Sequence, residues 1–267
     1  MKFDVLEGDF PLLVIRKRGP LNLPYVIRRA QNYEHFLYLL KKVYTSRAIT
    51  RIAERTKLQS QSNFWFLYRR CVVTGTLSKR VIAQNIKNES SEKINQAITK
   101  LYRSSFTTEA MIYGVNNEKH ALDLCYKTFS LKHKNAKMNT TGLILHKSYP
   151  FIGGSVDGIL TCDCCTKRYL VEVKCPFRLK DTGLENWQIL EYFDQNQCLR
   201  TSHTYYHQIN LYQGILGLDT AYFVVYAKNR MIQQVIQFDK TFFDNQIKNI
   251  CEYYSKHYLP KILGKKV

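Results

Sequence analysis

The stretch FIGGSVDGILTCDCCTKRYLVEVKCPF, residues 151–177, decides how this chain is read. Two apolar runs, SVDGIL (155–160) and RYLVEVK (168–174), flank a polar connector, TCDCCTK (161–167), and Pro176 ends the second run. Alternation along the second run puts Tyr169, Val171 and Val173 on one face and Leu170, Glu172 and Lys174 on the other. Pairing the two runs as a hairpin, with the first interrupted at Asp157-Gly158, brings Asp157 beside Glu172. Two neighbouring carboxylates repel unless a proton or a cation lies between them. Hard oxygen donors suit Mg²⁺ or Mn²⁺. Lys174 shares the face of Glu172, where an ammonium can hold or deprotonate an attacking water or neutralise a phosphate. Phosphodiester hydrolysis needs such a set, but the bare Asp-x(n)-Glu-x-Lys pattern also occurs in ordinary charged hairpins.

Outward from the hairpin, residues 108–130 read as a long helix. Met111, Val115, Leu122 and Cys125 form an apolar stripe, and Glu118 lies in it. A carboxylate facing inward needs a cation, a metal or a backbone donor; the plainer reading is a rim glutamate paired with a lysine. TGLILH (141–146) alternates as a strand. LENWQILEYF (184–193) and TYYHQINLYQGIL (204–216) read as helices, TAYFVVYAK and MIQQVIQF as strands joined around Asn229, and a last helix stops before Pro260. This order predicts an α/β fold with a central mixed sheet flanked by helices. Residues 1–60 read as an N-terminal helical preface, with a Pro/Gly loop at 16–24 and helix from near Asn32; residues 61–267 form the main domain.

The totals narrow the class. The 267 residues carry 40 Lys and Arg against 21 Asp and Glu, a formal charge of +19, which points to a polyanionic partner, most often nucleic acid. No segment approaches the ~18 apolar residues of a membrane span. The opening MKFDVLEGDF carries acids where a signal peptide has an apolar run. The expected setting is therefore intracellular, with the eight cysteines as thiols or metal ligands. The basic runs at 16–18 and 264–266 are too short for localisation signals and read as solvated charge.

With the flanks included, GGSVDGIL…YLVEVKCPF resembles the core motif of the lambda-exonuclease/YqaJ family in the PD-(D/E)XK nuclease superfamily, which includes phage recombination exonucleases and viral alkaline nucleases. The family pattern, roughly Ser-Pro-Asp-Gly, then Glu-(Ile/Val/Leu)-Lys-Cys-Pro-(Phe/Tyr), is met at Glu172, Lys174, Cys175, Pro176 and Phe177; Val156 replaces the proline. Three further segments match in order. WFLYRRCVVTGT (65–76) resembles the family's Trp-x-x-x-Arg…(Ile/Val)-Thr-Ala-Ser, YGVNNEKHA (113–121) its Trp-Gly-x-x-x-Glu-x-x-Ala, and YYHQINLYQGILG (205–217) its Tyr-x-x-Gln-(Val/Ile)-Gln. Thr76 stands where serine is usual, and Asn210 where a second glutamine is common.

The resemblance implies a restriction-endonuclease-like core and a metal-dependent deoxyribonuclease, most often a 5′→3′ exonuclease on duplex DNA ends in recombination or viral DNA processing. It implies that Asp157, Glu172 and the Val173 carbonyl hold Mg²⁺ (or Mn²⁺), and that Glu118 holds a second ion or positions water. Lys174 would orient or activate the nucleophile, and Gln208 would be the polar active-site residue. Arg69, Thr74 and Thr76 would bind a DNA phosphate. The partners implied are double-stranded DNA and a single-strand annealing protein, in the nucleus or cytoplasm of a host cell if viral. An endonuclease of the same superfamily and a catalytically inactive DNA-binding protein are the alternatives. The second would lack an Asp, Glu or Lys of the motif, and all three are present.

Two sets stand outside the resemblance. Cys162, Cys164 and Cys165, with Cys198 or His203 as a distant fourth donor, are a candidate zinc set, although Cys-x-Cys-Cys is not the usual knuckle spacing and closes a four-ligand site less easily. The plainer reading is thiols on a hairpin turn. His207 reads as a surface histidine, and Trp65 as a core anchor.

Overall fold

The structure is a computed structural model that describes residues 3–6, 13–16, 22–99 and 108–264. Residues 17–21 of the expected N-terminal loop lie outside these, as do the basic runs except Arg16 and Gly264.

Strands β1 (Phe3–Leu6) and β2 (Leu13–Arg16) pair antiparallel ahead of the first helices. Helix α1 (Leu23–Ile27) starts within the segment expected to be loop. Pro24 sits in its first turn, where a missing N–H costs nothing, and the Tyr25 N–H donates to Asn22 Oδ1 at 3.1 Å. Helices α2 (Tyr33–Val43), α3 (Ser46–Arg55) and α4 (Asn63–Arg69) follow. The short β3 (Val73–Thr74) runs directly into α5 (Gly75–Ile86), and α6 (Glu92–Thr99) and the long α7 (Glu109–Ser130) come next. The strands β4 (Lys137–Asn139), β5 (Ile144–Leu145), β6 (Ile152–Gly154), β7 (Gly158–Thr161) and β8 (Tyr169–Lys174) succeed one another. Helix α8 (Thr204–Leu216), the hairpin β9 (Thr220–Ala227) and β10 (Arg230–Gln237), then α9 (Lys240–Tyr253) and α10 (Leu259–Ile262) complete the fold.

The central sheet is mixed, in the order β10-β9-β8-β7-β4, with β8 and β9 parallel and the other neighbours antiparallel. Gly158 lies opposite Val171, the register the hairpin reading requires. The first strand of that hairpin begins only at Gly158. Ile152–Gly154 belongs to a second sheet, β3-β6-β5, and residues 155–157 carry the chain from one sheet to the other. The TGLILH segment contributes only Ile144–Leu145 to it.

Side-chain alternation assigns the two faces. Ala121, Cys125 and Phe129 of α7 pack on Leu160, Val171, Val173, Val224 and Tyr226. Leu170, Ala221, Phe223 and Val225 face the other way, into the larger core with Ile209 and Leu211 of α8. That core extends into the N-terminal helices: the Phe36 ring of α2 is 5.7 Å from Phe151 and 5.6 Å from Tyr254.

Three local expectations change. The apolar stripe of α7 is core only from Ala121 onward; Met111 is 50% and Val115 69% exposed, because this half of the helix does not cover the sheet. Residues 184–189 form 3₁₀ turns and not an α-helix; Trp187, Tyr192 and Phe193 gather in a ring cluster with Phe223, and this packing outweighs regular helical bonding. The last helix does not stop before Pro260. A five-residue π-turn, Tyr254–Tyr258, widens it, and Pro260 falls in the first turn of α10, where no N–H is needed.

Phe151 is fully buried and stacks on Tyr254 at 4.2 Å, joining β6 to both the N- and C-terminal helices. Phe151→Ala should therefore lower the unfolding free energy by about 3–5 kcal/mol in a urea titration. A loss below about 1 kcal/mol would contradict this packing.

Candidate active site

The sheet pairing sets Asp157 at the mouth of the β7–β8 hairpin. One of its carboxylate oxygens, Oδ2, accepts the Val173 N–H at 2.7 Å. Glu172, from the middle of β8, is 1% exposed and points to the α8 side. Its Oε1 accepts from Gln208 Nε2 of α8 at 2.6 Å and also from Lys174 Nζ. Lys174 Nζ donates in addition to the Val173 carbonyl at 3.0 Å and lies 4.8 Å from the centre of the Tyr205 ring. Glu118 approaches from α7, close enough to couple electrostatically with Asp157 and Lys174.

Asp157, Glu172, Lys174, Gln208 and the Val173 carbonyl are thus brought together by direct contacts, with Glu118 at the edge. Asn210, two residues past Gln208 in α8, does not join them; its amide turns to the Asp239 backbone.

The charges of this group do not balance. Burial pushes the Glu118 carboxyl up to about 7, with the nearby Asp157 adding to the rise and Lys174 opposing it. Burial, the adjacent Asp157 and Glu118 likewise raise Glu172 despite its ammonium partner, and burial raises Asp157. Burial works against the Lys174 ammonium, but Glu172 and Asp157 together hold it charged. With all three carboxyls ionised, one ammonium leaves two formal negative charges, the amount one divalent cation balances; otherwise the raised carboxyls hold protons.

Two observations test whether the residues suit such an ion. Glu172 Oε2 is buried and accepts no hydrogen bond among the described residues. The Lys174 ammonium rests on Glu172 Oε1 and the Val173 carbonyl, so positive charge already settles on these oxygens. The donor chemistry, carboxylates plus a backbone carbonyl, fits Mg²⁺ or Mn²⁺.

A cleft of about 790 Å³ has a wall formed by residues that include Trp65, Arg69, Thr74, Thr76, Arg80 and Met111 and no acid among those described. The Arg69 guanidinium lies 4.4 Å from the Trp65 ring centre, whereas Arg70 turns away and donates to the Thr99 carbonyl at 3.0 Å. The Thr74 and Thr76 hydroxyls are 3.0 Å apart at the start of α5, and Thr74 makes no side-chain cap bond to that helix. Trp65 is buried at this wall and donates from Nε1 to Ser155 Oγ at 2.7 Å, two residues before Asp157. Gly75 joins cleft and acids. A Cβ there would meet Gln208 Cγ at 2.7 Å and Tyr212 at 2.9 Å, so only glycine lets α5 start against α8.

Other expected residues lie elsewhere. Cys198 packs its thiol on the Asn196 carbonyl at 3.7 Å, and His203 caps α8, accepting from the Tyr205 N–H at 3.2 Å; neither joins the three clustered cysteines. The donor beside those cysteines is His133, from the segment after α7, a residue that no spacing rule connects to them. His207, expected at the surface, is half-buried: its ring packs on Phe242 at 4.8 Å, its carbonyl accepts from Gln246 Nε2 at 2.9 Å, and burial lowers the imidazole to about 4. The Tyr205 ring under Lys174 was also beyond pattern reading.

This combination of a mixed sheet, a hairpin bearing the acids and a basic cleft defines an α/β fold with a candidate hydrolytic site. The profile of the YqaJ-like viral recombinase domain matches residues 64–218, more than half of the 267 residues, and the chain belongs to this family. No curated protein matches the chain significantly. LHK-Exo, an alkaline exonuclease from Laribacter hongkongensis, is similar in structure, with a TM-score of 0.53, 18% identity, and coverage of 75% of this chain and 93% of its own. Its complex with dAMP gives a TM-score of 0.54 at 18% identity over the same shares of the two chains. SOX in its DNA complex gives 0.52 at 10% identity, covering 91% of this chain and 81% of that one. At these identities the likeness is one of fold. No helix among the described residues is long and apolar enough to cross a membrane.

The raised carboxyls make a direct prediction. With Glu118 raised to about 7 and Glu172 to about 8, a cation bound among these carboxylates would have to displace their protons. Cation affinity should therefore rise with pH, by up to about tenfold per unit for each proton displaced. The increase in Tm caused by a fixed Mg²⁺ concentration should be larger at about pH 8 than at about pH 6, and Glu118→Gln should reduce the difference without abolishing it, because Glu172 still gives up a proton. A wild-type increase independent of pH would contradict the assignment.

Proposed function

We propose that this chain is a nuclease that hydrolyses phosphodiester bonds of double-stranded DNA from a 5′ end, with Asp157, Glu172 and the Val173 carbonyl holding Mg²⁺ or Mn²⁺. The observation that carries the reading is Glu172 Oε2, buried and unpartnered among the described residues, beside Asp157 and Lys174. The cation, when bound, supplies Lewis acidity and charge neutralisation at the phosphate. Glu118 holds a second ion or positions water.

The remaining roles belong to the chain's own groups. Lys174, at the edge of the acid group, would hold its ammonium toward the attacking water or the phosphate oxygens. Gln208 keeps the Glu172 carboxylate oriented through its 2.6 Å bond. Arg69 and the Thr74 and Thr76 hydroxyls grip a terminal phosphate at the start of α5, where backbone N–H groups and the helix dipole favour an anion. The +19 charge binds the duplex backbone with little sequence preference.

The fold neighbours support DNA as the substrate class: LHK-Exo has been solved with dAMP and SOX with DNA. Family membership supports a role in recombination, where the 3′ single strand left by 5′ resection would pass to an annealing protein.

End-labelled linear duplex and closed circular duplex, each with Mg²⁺ and with chelator, test the proposal. Linear DNA should release nucleotides from the 5′ end only with Mg²⁺, and the circle should survive. Lys174→Ala should cut the rate by about 10²–10³-fold. Cleavage of the circle would favour an endonuclease, and equal, metal-independent traces from wild type and Lys174→Ala would retire the nuclease reading.

A further inference from the structure

The hairpin that carries Glu172 and Lys174 at one end carries a cysteine cluster at the other. Cys162, Cys164 and Cys165 lie in the β7–β8 connection, and His133 follows the end of α7. We propose that His133 Nδ1 and the three thiolates form a structural zinc site that fastens α7 to the β7–β8 hairpin.

The geometry is that of a closed four-ligand set. All four donor atoms lie within 4.8 Å of one another. His133 Nδ1 is 3.3 Å from Cys162 Sγ, 3.5 Å from Cys164 Sγ and 3.8 Å from Cys165 Sγ. Cys162 Sγ is 3.5 Å from Cys164 Sγ and 2.9 Å from Cys165 Sγ. A tetrahedron with Zn–S bonds of about 2.3 Å has S–S edges of about 3.8 Å, so the Cys162–Cys165 edge must open appreciably and the Cys162–Cys164 edge only slightly. That edge is also well beyond the ~2.05 Å of a disulfide, and the cysteines are free thiols.

The two segments are built to meet here. The Asp163 N–H donates to the Lys134 carbonyl at 2.9 Å, and Asn135 Nδ2 to Asp163 Oδ2 at 2.8 Å. The Lys134 N–H donates to Cys164 Sγ at 3.3 Å, the kind of bond that supports a metal-bound thiolate. The His133 ring stacks on Phe129 of α7 at 3.8 Å, which fixes the direction of Nδ1. Three thiolates and a neutral imidazole leave a zinc site with one net negative charge, and the exposed Lys132, Lys134, Lys167 and Arg168 flank it in sequence. Each thiol gives its proton to solvent as it binds, and the four ligands leave no open position for catalysis. Soft thiolate donors select zinc over the hard cation of the carboxylate site. Glu118 and His133 are separated by the C-terminal half of α7 and the turn after it, about 20 Å, so the two sites are distinct. The zinc inference does not rest on the nuclease reading.

The test is elemental analysis of the full chain purified without chelator, with cobalt(II) as a spectroscopic substitute. Wild type should carry about one zinc per chain, and cobalt should give the visible bands of a tetrahedral thiolate complex. Cys164→Ser, an exposed position, should lower zinc content and cobalt absorbance several-fold, while Cys198→Ser should leave both unchanged. Removing zinc should lower Tm with Mg²⁺ still present. Wild type without zinc and without the cobalt bands would overturn the proposal. So would a Cys162–Cys165 disulfide in the unreduced protein, or full zinc content in Cys164→Ser together with His133→Ala.

Discussion

Three carboxylates and one ammonium share the mouth of the β7–β8 hairpin, and the negative charge left over is the constraint around which the rest of the structure is arranged. Burying such a group is costly unless a counter-charge arrives. The apolar shell sets that cost: α7 covers one face of the sheet and α8 the other, so water cannot screen Glu172. The polar contacts then hold the acids in place. Val173 supplies an N–H to Asp157, Gln208 supplies an amide to Glu172, and Lys174 covers part of the charge without cancelling it. The same packing keeps one Glu172 oxygen without a partner among the described residues, at a cost in folding stability.

The cleft and the acids are mechanically one unit. Gly75 lets the start of α5 touch Gln208 and Tyr212, and the indole N–H of Trp65 reaches Ser155 just before Asp157. The basic wall and the acids are thus joined through packed side chains. At the far end of the hairpin, the His133 and cysteine set would hold the same two elements, α7 and β8, in register.

The parts of this arrangement that sequence made legible are those governed by short-range periodicity. Alternation in RYLVEVK sorted Val171 and Val173 from Glu172 and Lys174, and the structure has the same two faces. The boundaries of α7 and α8 followed from helical spacing. What pattern could not resolve depends on tertiary packing. Nothing local in SVDGIL shows that the strand begins only at Gly158 and that residues 155–157 cross over from the second sheet. Met111 and Val115 have the spacing of core residues, but this half of α7 has no sheet beneath it. The π-turn before Pro260 exists because Tyr253, Tyr254 and Tyr258 all fit into one core. His133 comes near the cysteines only through the turn after α7, 29 residues before Cys162, so no spacing rule could select it over His203.

The central claim is that Asp157, Glu172 and the Val173 carbonyl surround a place for a divalent cation. Anomalous diffraction from crystals soaked in Mn²⁺ measures this directly. The account predicts a manganese peak at about 2.0–2.2 Å from an oxygen of each of the two carboxylates, with the Lys174 ammonium displaced from Glu172. Density for manganese elsewhere only, with Lys174 still seated between Glu172 and the Val173 carbonyl, would contradict it.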